Sequence, residues 1–254
     1  ETSKNEPTEF RMFFRIGKNE YCYYLALKND EVISESLYRK AVTWKKTAMI
    51  FEREADSISL GYTINKKSLN TSINPKMPYL SFLAINYDIP VISEVITWFE
   101  SCIIRSYANP VVEHQILLAK DAPYKEQFIR ALNDMDIDIT GYRYDEDTKQ
   151  LFMQRTLSSH EYELPFSQES DGTKKLIAAL PVILLALREG RMVIIDELDA
   201  KLHPKLLRYV IFLFKNKEIN KYGAQLLFTS HDMYTLKNTI FRRDEIWFAA
   251  ENAS

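Results

Sequence analysis

Apolar and polar residues alternate along the first part of the chain. The alternation runs up to a "GKNE" turn and resumes after it with a period of two residues. Its apolar positions are Phe10, Met12, Phe14, Ile16, Tyr21, Tyr23, Leu25 and Leu27. Two such runs around a turn predict a β-hairpin with one half-buried face. We predict further strands over 32–39, 47–52 and 57–60, and a polar loop over 65–78.

Helical spacing replaces this alternation in the middle of the chain. Apolar residues three and four positions apart form two stripes, Val91, Val95, Trp98 and Cys102, and then Tyr124, Phe128, Leu132 and Met135. This spacing places each stripe on one helix face, and Pro123 is typical of a first helical turn. Strands are expected again over 137–145 and 149–165, on either side of the acidic turn "DEDTKQ".

Helices and strands alternate in the last third. The pattern predicts a helix over 173–188, a strand over 191–196, a helix over 204–217, a strand over 224–230 and, after a short helix, a final strand over 243–249. Strands separated by helices are typical of a parallel α/β sheet with crossover connections. Pro181 lies within the first of these helices and is expected to kink or interrupt it.

These patterns together predict an α/β fold. A parallel sheet with flanking helices accounts for the last third, and an antiparallel β region accounts for the first. A helical arm or insertion lies between them. The predicted division of the chain is 1–64, 65–136 and 137–254.

Composition restricts the class of protein. The chain has 254 residues, of which 46% are hydrophobic and 27% charged, the balance of a globular protein. A net charge of −2 gives no general attraction to nucleic acid. A nucleic-acid partner is therefore not indicated by charge, although it is not excluded. No apolar run has the ~20 residues that span a bilayer and no signal peptide is evident, so no membrane partner is expected. Cys22 and Cys102 are the two cysteines, which favours a reducing cytoplasm over a disulfide framework.

The stretch "VIIDE" (193–197) places two acids directly after a buried strand. Ligands of open α/β sheets bind at the carboxyl ends of the strands. An acid there can hold Mg²⁺ through its oxygens, and a second acid can polarise a water for attack on a phosphate. Asp196 and Glu197 are candidates for these two roles. Taken alone, the stretch is more often a solvated turn.

Three further stretches carry candidate chemistry. "ESDGTKKL" opens a helix with Ser170 and Gly172, where free backbone N–H groups attract anions, although a simple helix cap is the commoner explanation. "FTSHD" ends another strand with His231, which can contact a phosphate or simply fill a loop. "LDAKLHP" follows the acids, and a metal role for His203 has little support because no second histidine lies nearby in sequence.

The order of these four stretches resembles the C-terminal half of an ABC-type ATPase head, as in SMC proteins and double-strand-break repair ATPases. "ESDGTKK" resembles the signature loop, "VIIDE" the Walker B strand, "LDAKLHP" the D-loop and "FTSHD" the switch-histidine loop, over about residues 165–250. These stretches, with "RRDEIWF", "NEPTEFRMFF" and "YLSFLAINYD", are also similar to the transporter-less AAA ATPases of bacterial phage defence. That branch includes the RloA and AbiLi proteins and the AriA subunit of the PARIS system.

The resemblance implies ATP and Mg²⁺ as cofactors. Asp196 would bind Mg²⁺, Glu197 would be the general base and His231 would contact the γ-phosphate. The signature residues that would bind ATP held by the opposite protomer are Ser170, Asp171, Gly172 and Thr173. Asp199 and His203, in the D-loop, would lie at the interface. The resemblance further implies a homo-oligomer, at least a head-to-head dimer, with a toxin or TOPRIM-type nuclease partner in an abortive-infection system.

Two departures from the resembled pattern affect these expectations. Asp171 replaces the first glycine of the usual signature and Thr173 replaces its glutamine or glutamate, and an acid near a phosphate is unfavourable unless it points away. The phosphate loop G-x-x-x-x-G-K-[ST] needs two glycines five positions apart, and no two of the 6 glycines in the chain have that spacing. Because that loop precedes these strands in the resembled family and the chain starts without methionine, an N-terminal part is expected to be missing. The chain alone is therefore expected not to hydrolyse ATP.

Two other functions remain open. A Mg²⁺-dependent nuclease would use Asp196, Glu197 and Asp199 as ligands, but it leaves "ESDGTKKL" and "FTSHD" unexplained. A non-catalytic assembly module would keep the head fold and hold a toxin subunit. ATP hydrolysis by the full-length protein is the favoured expectation.

Overall fold

The chain forms two compact units, each with a hydrophobic core of its own. Residues 1–100 with 251–254 make the first unit, and residues 101–250 make the second. The structure, a computed structural model, describes residues 6–43, 46–64, 68–106, 125–200, 202–231 and 240–249.

The first unit is built on a five-stranded antiparallel sheet in the order β1-β2-β3-β4-β5. Its strands are β1 (Thr8–Ile16), β2 (Asn19–Lys28), β3 (Glu31–Ala41), β4 (Ala48–Glu54) and β5 (Ser57–Leu60). The chain turns from β2 to β3 at Asn29 and Asp30, whose φ angles are 51° and 62°. Two residues with positive φ make a type I′ turn, the connection that best matches the twist of a hairpin.

Two helices complete the core of the first unit, α1 (Tyr79–Asn86) and α2 (Pro90–Ser101). Phe14 of β1 stacks on Trp98 of α2 with ring centroids 4.2 Å apart. Phe51 of β4 meets Tyr79 of α1 edge-on at 5.2 Å. Alternate strand residues thus form the half-buried face that the sequence predicts, and the helices cover it.

A buried carboxylate joins α1 to the sheet. Glu35 of β3 is fully buried and accepts hydrogen bonds from the backbone N–H groups of Tyr79 and Leu80 and from the hydroxyl of Tyr23. These N–H groups begin α1 and have no acceptor within the helix, so Glu35 satisfies them. Burial raises the pKa of the Glu35 carboxyl above its ordinary range, while these hydrogen bonds and the charge of Arg53 oppose that rise.

Over its described residues, the second unit combines a parallel sheet, an antiparallel sheet and three α-helices. Its elements are β6 (Ile103–Ser106), α3 (Lys125–Asp134), β7 (Gly141–Asp145), β8 (Gln150–Leu157), β9 (His160–Pro165), α4 (Asp171–Glu189), β10 (Met192–Asp196), α5 (Pro204–Lys215) and β11 (Gln225–Phe228). The order β11-β10-β6 is parallel, and β7-β8-β9 is antiparallel. One core joins buried residues of all three helices with those of β6, β7, β8 and β10.

Helix α4 lies at the centre of this core. Twelve of its 19 residues are buried, because it is apolar on nearly every face after its first turn. Ser170 caps its first turn, and Gly190 ends it at φ 67° in the left-handed conformation usual for a helix end. Pro181 lies inside the helix, which continues through it.

The structure confirms the predicted fold class. A parallel α/β sheet, antiparallel β regions and several helices are present. The predicted hairpin and the alternating strands and helices of the last third agree with β1, β2, α4, β10, α5 and β11 to within a few residues. Pro123 and Tyr124 lie outside the described residues, as does most of the short helix expected before residue 243.

Several details of the prediction are wrong. Residues 243–249 form no strand: Arg243–Glu245 is a single 3₁₀ turn and irregular chain follows. The strand expected over 149–165 is two strands, because the chain turns back at Ser158 and Ser159. The strand expected over 137–145 begins only at Gly141. Pro181 does not interrupt its helix, and the alternative, a kink at Pro181, stays a prediction.

The compact units separate after residue 100, whereas the sequence suggests boundaries after 64 and 136. The three-part division into a β region, a helical arm and an α/β lobe stays a prediction. No single helix among the described residues is long and apolar enough to cross a membrane. Helices α1 and α2, bent by 112°, meet the length and composition of a span only as a pair, and both contribute buried side chains to the first core.

Candidate functional site

The carboxyl ends of β10 and β11 meet at one edge of the parallel sheet. Ile195 pairs with Phe228 at the end of the ladder, so Asp196 and Thr229 follow at the same level. Val193 and Ile195 are buried and fix the strand in the core, whereas Asp196 is exposed. The local sequence therefore delivers polar side chains to the edge where ligands of α/β sheets bind.

Thr229 connects Asp196, the last residue of β10, with Glu197, which follows it. Its hydroxyl donates to Oδ1 of Asp196 at 2.7 Å and accepts from the backbone N–H of Glu197 at 2.7 Å. Its carbonyl oxygen accepts from the N–H of Leu198 at 3.1 Å. One residue of the β11 loop thus fixes the carboxylate of the first acid and the backbone of the second.

Glu197 has a left-handed backbone with φ 49°. For a residue other than glycine, asparagine or aspartate this conformation costs about 1–2 kcal/mol, so the surrounding contacts must hold it. Besides Thr229, the ammonium group of Lys175 on α4 holds this residue by donating to the carbonyl oxygen of Glu197. Lys175 is itself buried, with 5% of its surface exposed.

His231 faces the carboxylate of Glu197. Its Nε2 lies 3.9 Å from Oε1 of Glu197, and the two side chains are 87% and 60% exposed. That separation is too long for a direct hydrogen bond, so both groups are accessible to water and ligand. Asp199 fixes the backbone of this loop, because its Oδ2 accepts from the N–H of His231 at 3.0 Å. The other oxygen of Asp199 is buried and has no hydrogen-bond partner within the described ranges.

The donor set at this edge fits Mg²⁺ that is shared with a phosphate ligand. Asp196 and Glu197 offer two exposed carboxylates, and Mg²⁺ is commonly held by one or two carboxylates, with phosphate oxygens and water completing its octahedron. Over the part of the chain that the structure describes, no group of three or more His, Cys, Asp or Glu side chains is placed to hold a metal ion. Asp199 is turned toward the His231 backbone, so the three-acid ligand set of the nuclease alternative does not form.

The signature residues begin helix α4. The Ser170 hydroxyl accepts from the N–H of Thr173 at 3.2 Å and lies 2.8 Å from the Thr173 hydroxyl, so the simple helix cap is present. Asp171 in the first turn is 4.0 Å from the Lys174 ammonium. The remaining N–H groups of this turn and the helix dipole make the site suitable for an anion.

Ser170, Gly172 and Thr173 share a surface pocket of about 420 Å³ with His203 and Lys205. His203 caps helix α5: its Nδ1 accepts from the N–H of Lys205 at 3.2 Å. The first turns of α4 and α5 therefore face one pocket. This use of Nδ1 gives His203 a structural role and leaves no support for a metal role.

The structure thus sorts the sequence-predicted residues into two groups. The first group lies at the sheet edge and consists of Asp196, Glu197, Asp199 and His231. The second group lies at the helix starts and consists of Ser170, Gly172, Thr173 and His203. Their assigned roles in nucleotide chemistry stay predictions. Sequence reasoning missed Thr229 and Lys175. Thr229 lies within the quoted "FTSHD" stretch and could have been found by pairing the two strand ends, whereas the sequence gives no sign that Lys175 is buried.

The family model described as "AAA domain, putative AbiEii toxin, Type IV TA system" matches residues 1–237. The match spans most of both units and every residue of the two groups above. None of the curated proteins matches the chain.

Proposed function

The chain belongs to the family described as "AAA domain, putative AbiEii toxin, Type IV TA system", and on that premise we propose that it supplies the Walker B and signature parts of an ATP-hydrolysing site. Family membership supports an AAA-type ATPase domain with a link to bacterial toxin–antitoxin defence. The narrower placement beside the RloA, AbiLi and AriA proteins of phage defence, and a cytoplasmic location, belong to the proposal.

One observation carries the proposal. Two parallel strands end beside each other, and four residues lie together there: Asp196, Glu197, Thr229 and His231. Different contacts hold the two acids. Asp196 has its carboxylate fixed, as a metal ligand requires. Glu197 has its backbone fixed and its carboxylate free to meet water, as a general base requires.

The proposed reaction is attack of water on the γ-phosphate of ATP. Glu197 accepts a proton from the water as the water oxygen bonds to the γ-phosphorus and the bond from that phosphorus to ADP breaks. His231 contacts the γ-phosphate. Asp196 would hold Mg²⁺, which would supply positive charge to neutralise the phosphate oxygens. The phosphate-loop pattern is not among the 254 residues, so the proposal concerns the complete encoded protein.

The second group of residues would act on the nucleotide of another copy. Ser170, Gly172 and Thr173 present a helix start to solvent, and we assign them to the γ-phosphate of ATP held by the opposite protomer. Asp171 is 65% exposed with Lys174 4.0 Å away, which lessens the conflict between its charge and a phosphate. A head-to-head dimer, with Asp199 and His203 near its interface, and a toxin or TOPRIM-type nuclease partner complete the proposal.

Two alternatives differ in what Glu197 does. A nuclease would need a third ligand beside Asp196 and Glu197, and Asp199 is engaged elsewhere. An assembly module without catalysis would not need Glu197 at all. Replacing this carboxylate therefore separates the three functions.

The experiment compares wild type with Glu197→Gln in the complete encoded protein. The proposal predicts that the variant loses at least about a hundredfold of its ATP hydrolysis and still binds ATP, because the amide cannot accept the proton from water. Glu161→Gln, the same change at an exposed position of β9, is the matched control and should behave as wild type.

Nucleic-acid cleavage with Mg²⁺ is measured on the same proteins. Cleavage that disappears in Glu197→Gln, without any ATP hydrolysis by wild type, would establish the nuclease instead. Wild type without either activity, although it binds ATP and a toxin partner, would establish the assembly module.

A further inference from the structure

We propose that Lys175 is a positioning residue for Glu197 and couples the start of helix α4 to the water-activating carboxylate. This inference rests on the proposed function, because it assigns Lys175 a task in the same hydrolytic site. Lys175 is the last residue of the "ESDGTKK" stretch, but none of the roles implied for the signature or Walker B residues uses it.

Lys175 is buried, which is uncommon for a lysine. It is 5% exposed on a helix whose neighbouring residues Leu176 and Ile177 are fully buried. Lysine is almost never buried without a partner, because removing its charge from water is costly. Its ammonium group donates to the backbone carbonyl oxygen of Glu197, so this buried side chain contacts the backbone of the residue that the proposal uses as a base.

The contact acts on a residue that needs support. Glu197 is left-handed at φ 49°, and its peptide groups are held on both sides. Thr229 accepts from its N–H at 2.7 Å, and Lys175 donates to its C=O. The same carbonyl oxygen also accepts from the N–H of Ala200 at 3.1 Å. Loss of the Lys175 donor weakens the hold on this carbonyl and lets the backbone relax toward a common conformation, which redirects the Glu197 side chain.

The position of Lys175 on α4 gives the contact a further consequence. Lys175 lies two residues after Thr173, within the same beginning of the helix as the signature group. A helix start moves as a unit, so any ligand that shifts Ser170, Gly172 and Thr173 also shifts Lys175 and the carbonyl of Glu197. Contact with the opposite protomer's nucleotide is thereby transmitted to the base through the hydrogen bond from Lys175 to the Glu197 carbonyl.

The test uses Lys175→Met in the complete encoded protein. This change gives an unbranched apolar side chain that is only one atom shorter, and removes the donor. We expect kcat for ATP hydrolysis to fall at least about tenfold, as for a misplaced catalytic group. The Kd for ATP should stay within about threefold, since Lys175 is not proposed to touch the nucleotide. Lys175→Arg retains a cationic donor and should recover most of kcat.

Lys217→Met, at an exposed lysine after α5, is the matched control and should leave kcat unchanged. Thermal unfolding is recorded for every variant. If Lys175→Met does not fold, Lys175→Gln decides, because it removes the buried charge and its shorter amide does not span the same distance. It is expected to lower kcat at least about fivefold at an unchanged Kd.

An unchanged kcat in a folded Lys175→Met or Lys175→Gln protein would overturn the inference, as would equal losses of kcat and ATP binding. The results would differ if the proposed ATP hydrolysis itself were wrong. In that case wild type does not hydrolyse ATP, or Glu197→Gln hydrolyses it at the wild-type rate, whatever the Lys175 variants do.

Discussion

Thr229 donates its hydroxyl hydrogen to Asp196 across 2.7 Å, and this bond crosses from the loop after β11 to the end of β10. The same hydroxyl accepts from the Glu197 backbone. The two proposed functions, metal binding and water activation, therefore depend on one side chain that contributes no charge of its own.

Thr229→Val tests that dependence. Valine has nearly the shape of threonine and cannot make either hydrogen bond, so Asp196 loses its fixed orientation and the Glu197 N–H loses its acceptor. We expect ATP hydrolysis by the complete protein to fall at least about tenfold, and the Mg²⁺ concentration for half-maximal rate to rise. Thr229→Ser keeps the hydroxyl and is the control. Equal rates in the valine and serine variants would contradict this role.

A mixing experiment tests whether the two groups of site residues serve different protomers. Ser170→Arg alone and Glu197→Gln alone should each abolish hydrolysis. In dimers formed from equal amounts of both, one intact site remains in each mixed dimer, so the rate should recover to roughly a quarter of wild type. If Ser170 acts within its own protomer, the mixture stays as inactive as its components.

Glu35 makes the stability of the first unit depend on pH. Burial raises its pKa above the ordinary value of 4.5, so the folded carboxyl binds a proton more tightly than the unfolded one. Its contribution to stability is present in full below the ordinary pKa and is lost as pH rises through the raised value. The free energy of unfolding should therefore fall with rising pH more steeply in wild type than in Glu35→Gln.

Urea denaturation of the complete protein at several pH values between about 5 and 8 measures these slopes. Glu31→Gln, on the exposed beginning of the same strand, is the matched control and should keep the wild-type slope. Parallel slopes in wild type and Glu35→Gln would show that this carboxyl is not the source of the dependence.

The alternation of strands and helices in the last third was predictable because periods of two and 3.6 residues differ plainly over such lengths. The ends of β10 and β11 lie side by side because neighbouring parallel strands end at one edge of the sheet. The hydrogen bonds of Thr229 and Lys175 depend on which atoms come within reach after packing. No periodicity in the sequence encodes them.

The errors in the fold have identifiable causes. "RRDEIWF" has the aromatic and β-branched residues of a strand, yet Trp247 and Phe248 are 88% and 76% exposed and form no strand in the described structure. At Ser158 and Ser159 the chain turns with φ 48° and 67°. Such a turn is normally signalled by glycine, asparagine or aspartate, so two serines gave no warning. Glu197 also has a left-handed backbone, and glutamate is not a residue type from which that conformation would be predicted.

The most direct test of the hydrolytic site is a single-turnover measurement with γ-labelled ATP and excess complete protein. The rate constant for phosphate release is compared between wild type and Glu197→Gln, with bound ATP measured in the same samples. The account predicts a fall of at least about a hundredfold in the chemical step with equal amounts of ATP bound. Release of phosphate at the same rate from both proteins would contradict the assignment of Glu197 as the general base, and with it the proposed site.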